Sequence, residues 1–110
     1  MLLQKCSNIF VVTTRFEWDP TKAASNWKKH GVSFPTAARV FSDPYALVLQ
    51  DRMENGEERW QTIGVVEGVV LLLVAHTVRE QDDVEVIRIL SARRADRRER
   101  RRYEEENGDL

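Results

Sequence analysis

Ile87-Arg88-Ile89-Leu90-Ser91-Ala92-Arg93-Arg94-Ala95, running on into Asp96-Arg97-Arg98-Glu99-Arg100-Arg101-Arg102-Tyr103, is the stretch on which the fold turns. Its first half is β-branched and alternates, so it reads as a strand. Its second half opens with Asp96 and Glu99 at capping-box spacing, so it reads as a helix. Residues 88 to 102 hold eight arginines and two acids, yet the whole chain has a formal net charge of -1. The positive charge is therefore concentrated locally. A compact arginine cluster suits phosphate, because the planar guanidinium fork matches two phosphate oxygens at once.

Working back from that strand, the hydrophobic period is two. Strands are expected over residues 45–51, 59–66, 69–78 and 84–91, separated by Asn55-Gly56, Glu67-Gly68 and Gln81-Asp82-Asp83. Connections this short imply an antiparallel meander. Before it the period is 3.6. Asp19-Pro20 supplies an N-cap and first-turn proline, and Ala23, Ala24 and Trp27 are the expected packing face of a helix that stops at Gly31. A second helix is expected from Ser33-Phe34-Pro35 through Phe41, ended by Asp43-Pro44. Residues 9–18 read as a further strand, and residues 107–110 as a frayed tail. The expected fold class is α+β: two N-terminal helices and a C-terminal helix packed on an antiparallel meander.

The chain has 110 residues, 42% of them hydrophobic, which suits one domain burying roughly two-thirds of its unfolded surface. A single cysteine, Cys6, excludes an intramolecular disulfide and fits a reducing compartment. The longest run of apolar and glycine residues, 68–75, is far short of the ~20 residues of a membrane span, and the N-terminal Ile9-Phe10-Val11-Val12 run is too brief for a signal peptide. A cytoplasmic protein is the expectation.

Within the basic end, Arg100, Arg101 and Arg102 each have a glutamate at i+4, so a solvated, self-paired helix surface accounts for them as readily as a binding role. Arg88, Arg93 and Arg94 are better candidates. Arg88 shares a strand face with Val84, Val86 and Leu90, and Arg93 and Arg94 fall at the strand-to-helix corner, where no partner stands at helical spacing. Glu57 and Arg59 after the Asn-Gly turn, and Arg79 near the end of the next strand, can join that corner. His76 alternates with Leu72 and Val74 and reads as a satisfied, partly buried imidazole, while His30 sits where a helix dipole favours a cation. No metal-ligand spacing, glycine-rich phosphate loop or Ser-His-Asp order is present, so no cofactor is expected. Arginines with a carboxylate suit RNA cleavage in which the 2′-hydroxyl attacks the adjacent phosphate. The protein then orients the chain and stabilises charge on phosphate oxygens, and a carboxylate or imidazole takes the proton.

The order Trp18-Asp19, Lys22, Asn26, Lys29-His30-Gly31-Val32-Ser33-Phe34, Ala38, Phe41, Asp43-Pro44 resembles the first half of the BrnT toxins. Glu57-x-Arg59, Ile63-Gly64, His76-Thr77-x-Arg79, Ile87-Arg88-Ile89-Leu90-Ser91-Ala92-Arg93 and Glu99…Tyr103 resemble their second half. The likeness runs from about Phe16 to Glu105. It implies a RelE-like fold and a type II toxin, a metal-independent endoribonuclease neutralised by a BrnA-like antitoxin. It further implies a toxin–antitoxin heterotetramer that binds its own promoter DNA through the antitoxin. Carried onto this chain, the expected catalytic positions are Arg59, Arg79, Arg88 and Arg93, with Glu57 and His30 beside them. Lys22, Lys29, Arg94 and Arg97 are the expected RNA-binding positions.

Residues 1–15 depart from the pattern, as an N-terminal extension or a longer first strand ahead of a domain spanning 16–106. Two other classes compete: an inactive relative that binds nucleic acid or antitoxin, and a DNA-binding repressor. The repressor lacks a helix-turn-helix pattern.

Overall fold

The computed structural model describes residues 13–108. Residues 1–12, which hold Cys6 and most of the expected N-terminal extension, and residues 109–110 lie outside the described residues. The chain runs β1 (Thr13–Glu17), α1 (Pro20–His30), α2 (Phe34–Ala38), a 3-10 turn (Arg39–Ser42), β2 (Leu47–Glu54), β3 (Glu57–Val66), β4 (Val70–Gln81), β5 (Val84–Arg94) and α3 (Arg97–Glu106). Thr13–Arg15 therefore belong to the first strand. The Asn107 side chain donates to the carbonyls of Tyr103 at 2.8 Å and Tyr45 at 3.1 Å.

β2 to β5 form the expected antiparallel meander, but the sheet as a whole is mixed. Its order is β1-β5-β4-β3-β2, with β1 parallel to β5. A parallel neighbour needs a long return path, and here α1, α2 and the whole meander supply it. No local signal reports such a pairing. The hairpins close as their sequences dictate. Asn55 and Gly56 both have positive φ, as do Asp82 and Asp83, where the short polar side chains tolerate a left-handed backbone.

The alternation of each strand divides the sheet into two faces. On one, α1 and α2 cover a core of Phe34, Ala37, Val40, Leu72, Val74, Ile87, Ile89 and Ala92. On the other, Tyr103 of α3 packs with Ile63, Leu71 and Leu73. Asp43, read from sequence as a helix stop, joins the layers: its carboxylate accepts from Tyr103 Oη at 2.7 Å, Val65 N at 2.9 Å and Tyr45 N at 2.9 Å. The 3-10 turn lies so close to the sheet that a Cβ on Gly64 would stand 2.7 Å from Val40 Cγ1, which is why a glycine interrupts β3 there. α3 carries both legs of its capping box. Its expected i, i+4 ion pairs are not formed among the described residues, because none of those side chains closes to within 4 Å.

Helix α1 corrects the sequence reading. Trp27 is 60% exposed, and the buried residue of the helix is Asn26. β1 ends opposite Arg88, leaving the next part of β5 without a strand neighbour on that edge. Asn26 fills that edge: its Nδ2 donates to the carbonyls of Ala92 and Val32, each at 2.9 Å, and its Oδ1 accepts from Ala92 N at 3.0 Å. Trp27→Ala should therefore change stability by no more than about 1 kcal/mol in a denaturant titration, as surface substitutions do. A loss of about 3 kcal/mol or more, the usual cost of truncating a buried aromatic, would show that the ring is packed after all.

His76 is 2% exposed on the helical face, its Nε2 2.7 Å from Thr62 Oγ1 and its ring edge-on to Phe41. It is more deeply buried than the sequence suggests, and burial holds its pKa down to about 4 from an ordinary 6.5. The unfolded imidazole thus binds a proton more readily than the folded one. Stability is complete above about pH 6.5 and falls as pH drops toward 4, by roughly 3 kcal/mol from this residue. His76→Gln should flatten the pH dependence of the melting temperature across that window. An unaltered slope would assign the loss to other groups.

Candidate functional site

Because α3 covers only part of its face, the rest of that face is open, and the arginines emerge there. β5 presents Val86 and Arg88 on this side, β4 presents Thr77 and Arg79, and β1 presents Arg15 and Glu17. Glu17 pairs in register with Arg88, and Arg88 with Thr77. Arg59 follows one residue beyond the Trp60↔His76 pair and so stands beside Thr77. Glu17, Arg88, Thr77 and Arg59 thus form one row across four strands, with Arg79 two residues along β4.

The centre of the row is a shared carboxylate. Arg79 grips Glu17 with both terminal nitrogens, Nη1 to Oε2 at 2.9 Å and Nη2 to Oε1 at 3.1 Å, and Arg88 Nη1 reaches Oε2 at 3.1 Å. The Arg79 hydrogen bonds, reinforced by Arg88 against the opposing effect of burial, hold Glu17 down at about 2. Glu17 in turn raises the pKa of Arg79. Both guanidiniums are thereby held side by side. Arg59 has a terminal nitrogen 3.7 Å from Glu54, while its buried Nε has no hydrogen-bond partner among the described residues. Glu57 opens β3 on the same side and is exposed, close enough to Arg79 to raise its pKa.

The other candidates lie elsewhere. Arg93 shares the face but stands at its far end, five residues along β5 from Arg88. It has a partner the sequence did not offer: both terminal nitrogens bind Glu99, at 2.9 and 2.8 Å, raising the pKa of Arg93 and lowering that of Glu99. Glu99 also accepts from Asp96 N, so this pair buckles strand to helix. Arg94 points to the opposite face, in a groove with Trp27, Val66, Val70 and Leu72. Arg97 is exposed on the first turn of α3. His30, Lys22 and Lys29 lie along the free edge of β5, beside the arginine face but outside the row. The structure therefore gathers Arg59, Arg79 and Arg88, with Glu57 near, and leaves Arg93, Arg94, Arg97, His30, Lys22 and Lys29 outside that cluster.

Glu17 is the residue sequence reasoning missed. An acid between Phe16 and Trp18 in a strand must point away from both, and that alternation was its available signal. Among the described residues no three His, Cys, Asp or Glu side chains are grouped to hold a metal ion. No helix there is long and apolar enough to cross a membrane.

Fold and site together define a small α+β protein with an open, arginine-lined sheet face suited to an anionic ligand. Residues 18–99 match the family of ribonuclease toxins, BrnT, of type II toxin–antitoxin systems, and the chain belongs to that family. A crystal structure of the Brucella abortus ribonuclease toxin BrnT is similar, with a TM-score of 0.59 and 22% identity over 78% of this chain and 100% of that one. At that identity the likeness speaks for the fold. No curated protein sequence matches the chain.

Proposed function

We propose that this protein is a metal-independent endoribonuclease toxin that cleaves RNA by attack of a 2′-hydroxyl on the adjacent phosphate. The observation that supports this reading best is the pairing of Arg79 and Arg88 on one carboxylate, on an open face, in a chain of a ribonuclease toxin family. Preorganised guanidiniums aimed at a phosphodiester stabilise the extra negative charge of the pentacovalent transition state, and they do so without reorganising. Arg59, with an unpartnered buried Nε and three-quarters of its side chain sheltered, adds a third positive group to the row. Glu17 is a poor base because it is held ionised near 2 and all its contacts are to guanidinium. Its role is to position the two arginines. Glu57 is the carboxylate left to accept the 2′-proton.

On this reading the partner is a BrnA-like antitoxin, in a heterotetramer that reaches promoter DNA through the antitoxin, and the fold is of the RelE-like kind. One observation favours the rival, a non-catalytic relative that binds nucleic acid: Arg79, Arg88 and Arg93 are all already ion-paired. The deciding experiment is cleavage of a defined RNA by purified, antitoxin-free protein in excess EDTA. Products ending in 2′,3′-cyclic phosphate are expected. Binding without cleavage by folded protein would select the rival, and cleavage only on adding a divalent ion would overturn metal independence.

A further inference from the structure

The edge of β5 carries a second feature. Just past Arg88 the strand bulges: Ala75 pairs with Ser91 and His76 with Ile89, so Leu90 is the extra residue. Beside the bulge, α1 and β5 enclose a groove of about 240 Å³ lined by Lys22, Ser25, Asn26, Lys29, His30, Leu90 and Ser91. Lys22, Ser25, Asn26 and Lys29 stand at i, i+3, i+4 and i+7, one stripe of the helix. Asn26 spends its polar atoms on the backbone of Ala92 and Val32, which fixes the stripe against the strand.

What remains in the groove is three basic side chains and two hydroxyls, with no carboxylate among the lining residues. Unlike Arg79, Arg88 and Arg93, neither lysine nor His30 makes an ion pair among the described residues. The groove also adjoins the arginine face. Ser91 pairs with Ala75 and so opens onto that face, two to three residues along the strand from Arg88, or about 7–10 Å. A single strand lying over the arginine row reaches it within a step or two.

We propose that this groove is a second phosphate subsite, which takes a flanking phosphodiester of the same single-stranded RNA. The proposal rests on the reading of the arginine face as an RNA interface. Lys22 and Lys29 supply two unpaired charges about 10 Å apart along the helix, with His30, Ser25 and Ser91 as further donors. The arginine row acts on the reacting phosphate; the groove fixes where the strand runs next. A subsite of this kind contributes binding, so its loss should raise KM and leave kcat.

The test is salt-dependent binding of a non-cleavable 2′-O-methyl oligoribonucleotide to the full chain, followed by fluorescence anisotropy, with a dinucleotide of the same chemistry, which holds one phosphodiester, in parallel. The double variant Lys22→Gln, Lys29→Gln should bind the long probe more weakly, with its log–log salt slope reduced by about 1.4, two contacts at roughly 0.7 each. Its affinity for the dinucleotide should match wild type. Lys28→Gln removes a neighbouring lysine that does not line the groove and should change neither. An unchanged slope in the double variant, or an equal drop from Lys28→Gln, would overturn the subsite. Failure of wild type to bind either probe would instead overturn the RNA reading on which it rests.

Discussion

Arg88→Ala is expected to lower the rate of RNA cleavage by about 10²–10³-fold, the usual loss when one preorganised transition-state donor is removed. The melting temperature should stay within a few degrees of wild type, because a half-exposed ion pair contributes about 1 kcal/mol or less. Arg88 stands next to Glu17 in register, shares its carboxylate with Arg79 and lies mid-row between Glu17 and Arg59. Arg88→Lys keeps the charge but loses the planar fork, so it should recover only a small part of the rate. Arg101, exposed on α3 and without an ion pair among the described residues, should tolerate alanine with little change. Single-turnover rates with each variant, beside thermal melts, make the measurement. Wild-type rates from Arg88→Ala would remove the row from the chemistry, and a large loss from Arg101→Ala would bring α3 into it.

Asn26→Ala is expected to destabilise the fold by roughly 3–5 kcal/mol, a large share of the 5–15 kcal/mol typical of a small domain. Truncation leaves the amide and carbonyl of Ala92 and the carbonyl of Val32 without their partner, in a region where Asn26 itself is buried. Each buried orphan costs about 1–3 kcal/mol. Asn26→Asp is a sharper probe. It retains the acceptor for Ala92 N but can donate to neither carbonyl and brings a charge into the site, so it should fare no better than alanine. Urea titration of both variants measures this. A loss below about 1 kcal/mol would mean that water replaces the amide at the β5 edge.

These two residues mark how far the sequence carries. Arg88 could be singled out from sequence as a candidate: a guanidinium on an alternating apolar strand, beside a cluster rich in its own kind, suits an anion. The meander, its tight turns, the capped helices and the family resemblance were legible for the same reason. They are set by residues within a few positions of each other, through strand alternation, left-handed turn geometry and N-cap hydrogen bonds.

Trp27 was read as packed and Asn26 was not read as buried, because periodicity ranks residues by apolarity and cannot see that a strand edge 66 residues away needs an amide. Arg93 was taken for a free candidate because Glu99 sits six residues on, outside any helical spacing, and only the strand-to-helix corner folds them together. Glu17 escaped notice because β1 joins β5 in parallel across most of the chain. By itself, then, the sequence determined the local elements, the basic C-terminal end and the kinship. Tertiary structure alone decided that the sheet is mixed, which arginines share a carboxylate and which are locked away. Those outcomes depend on long-range pairing, and the free energy of such contacts is invisible until the chain has closed on itself.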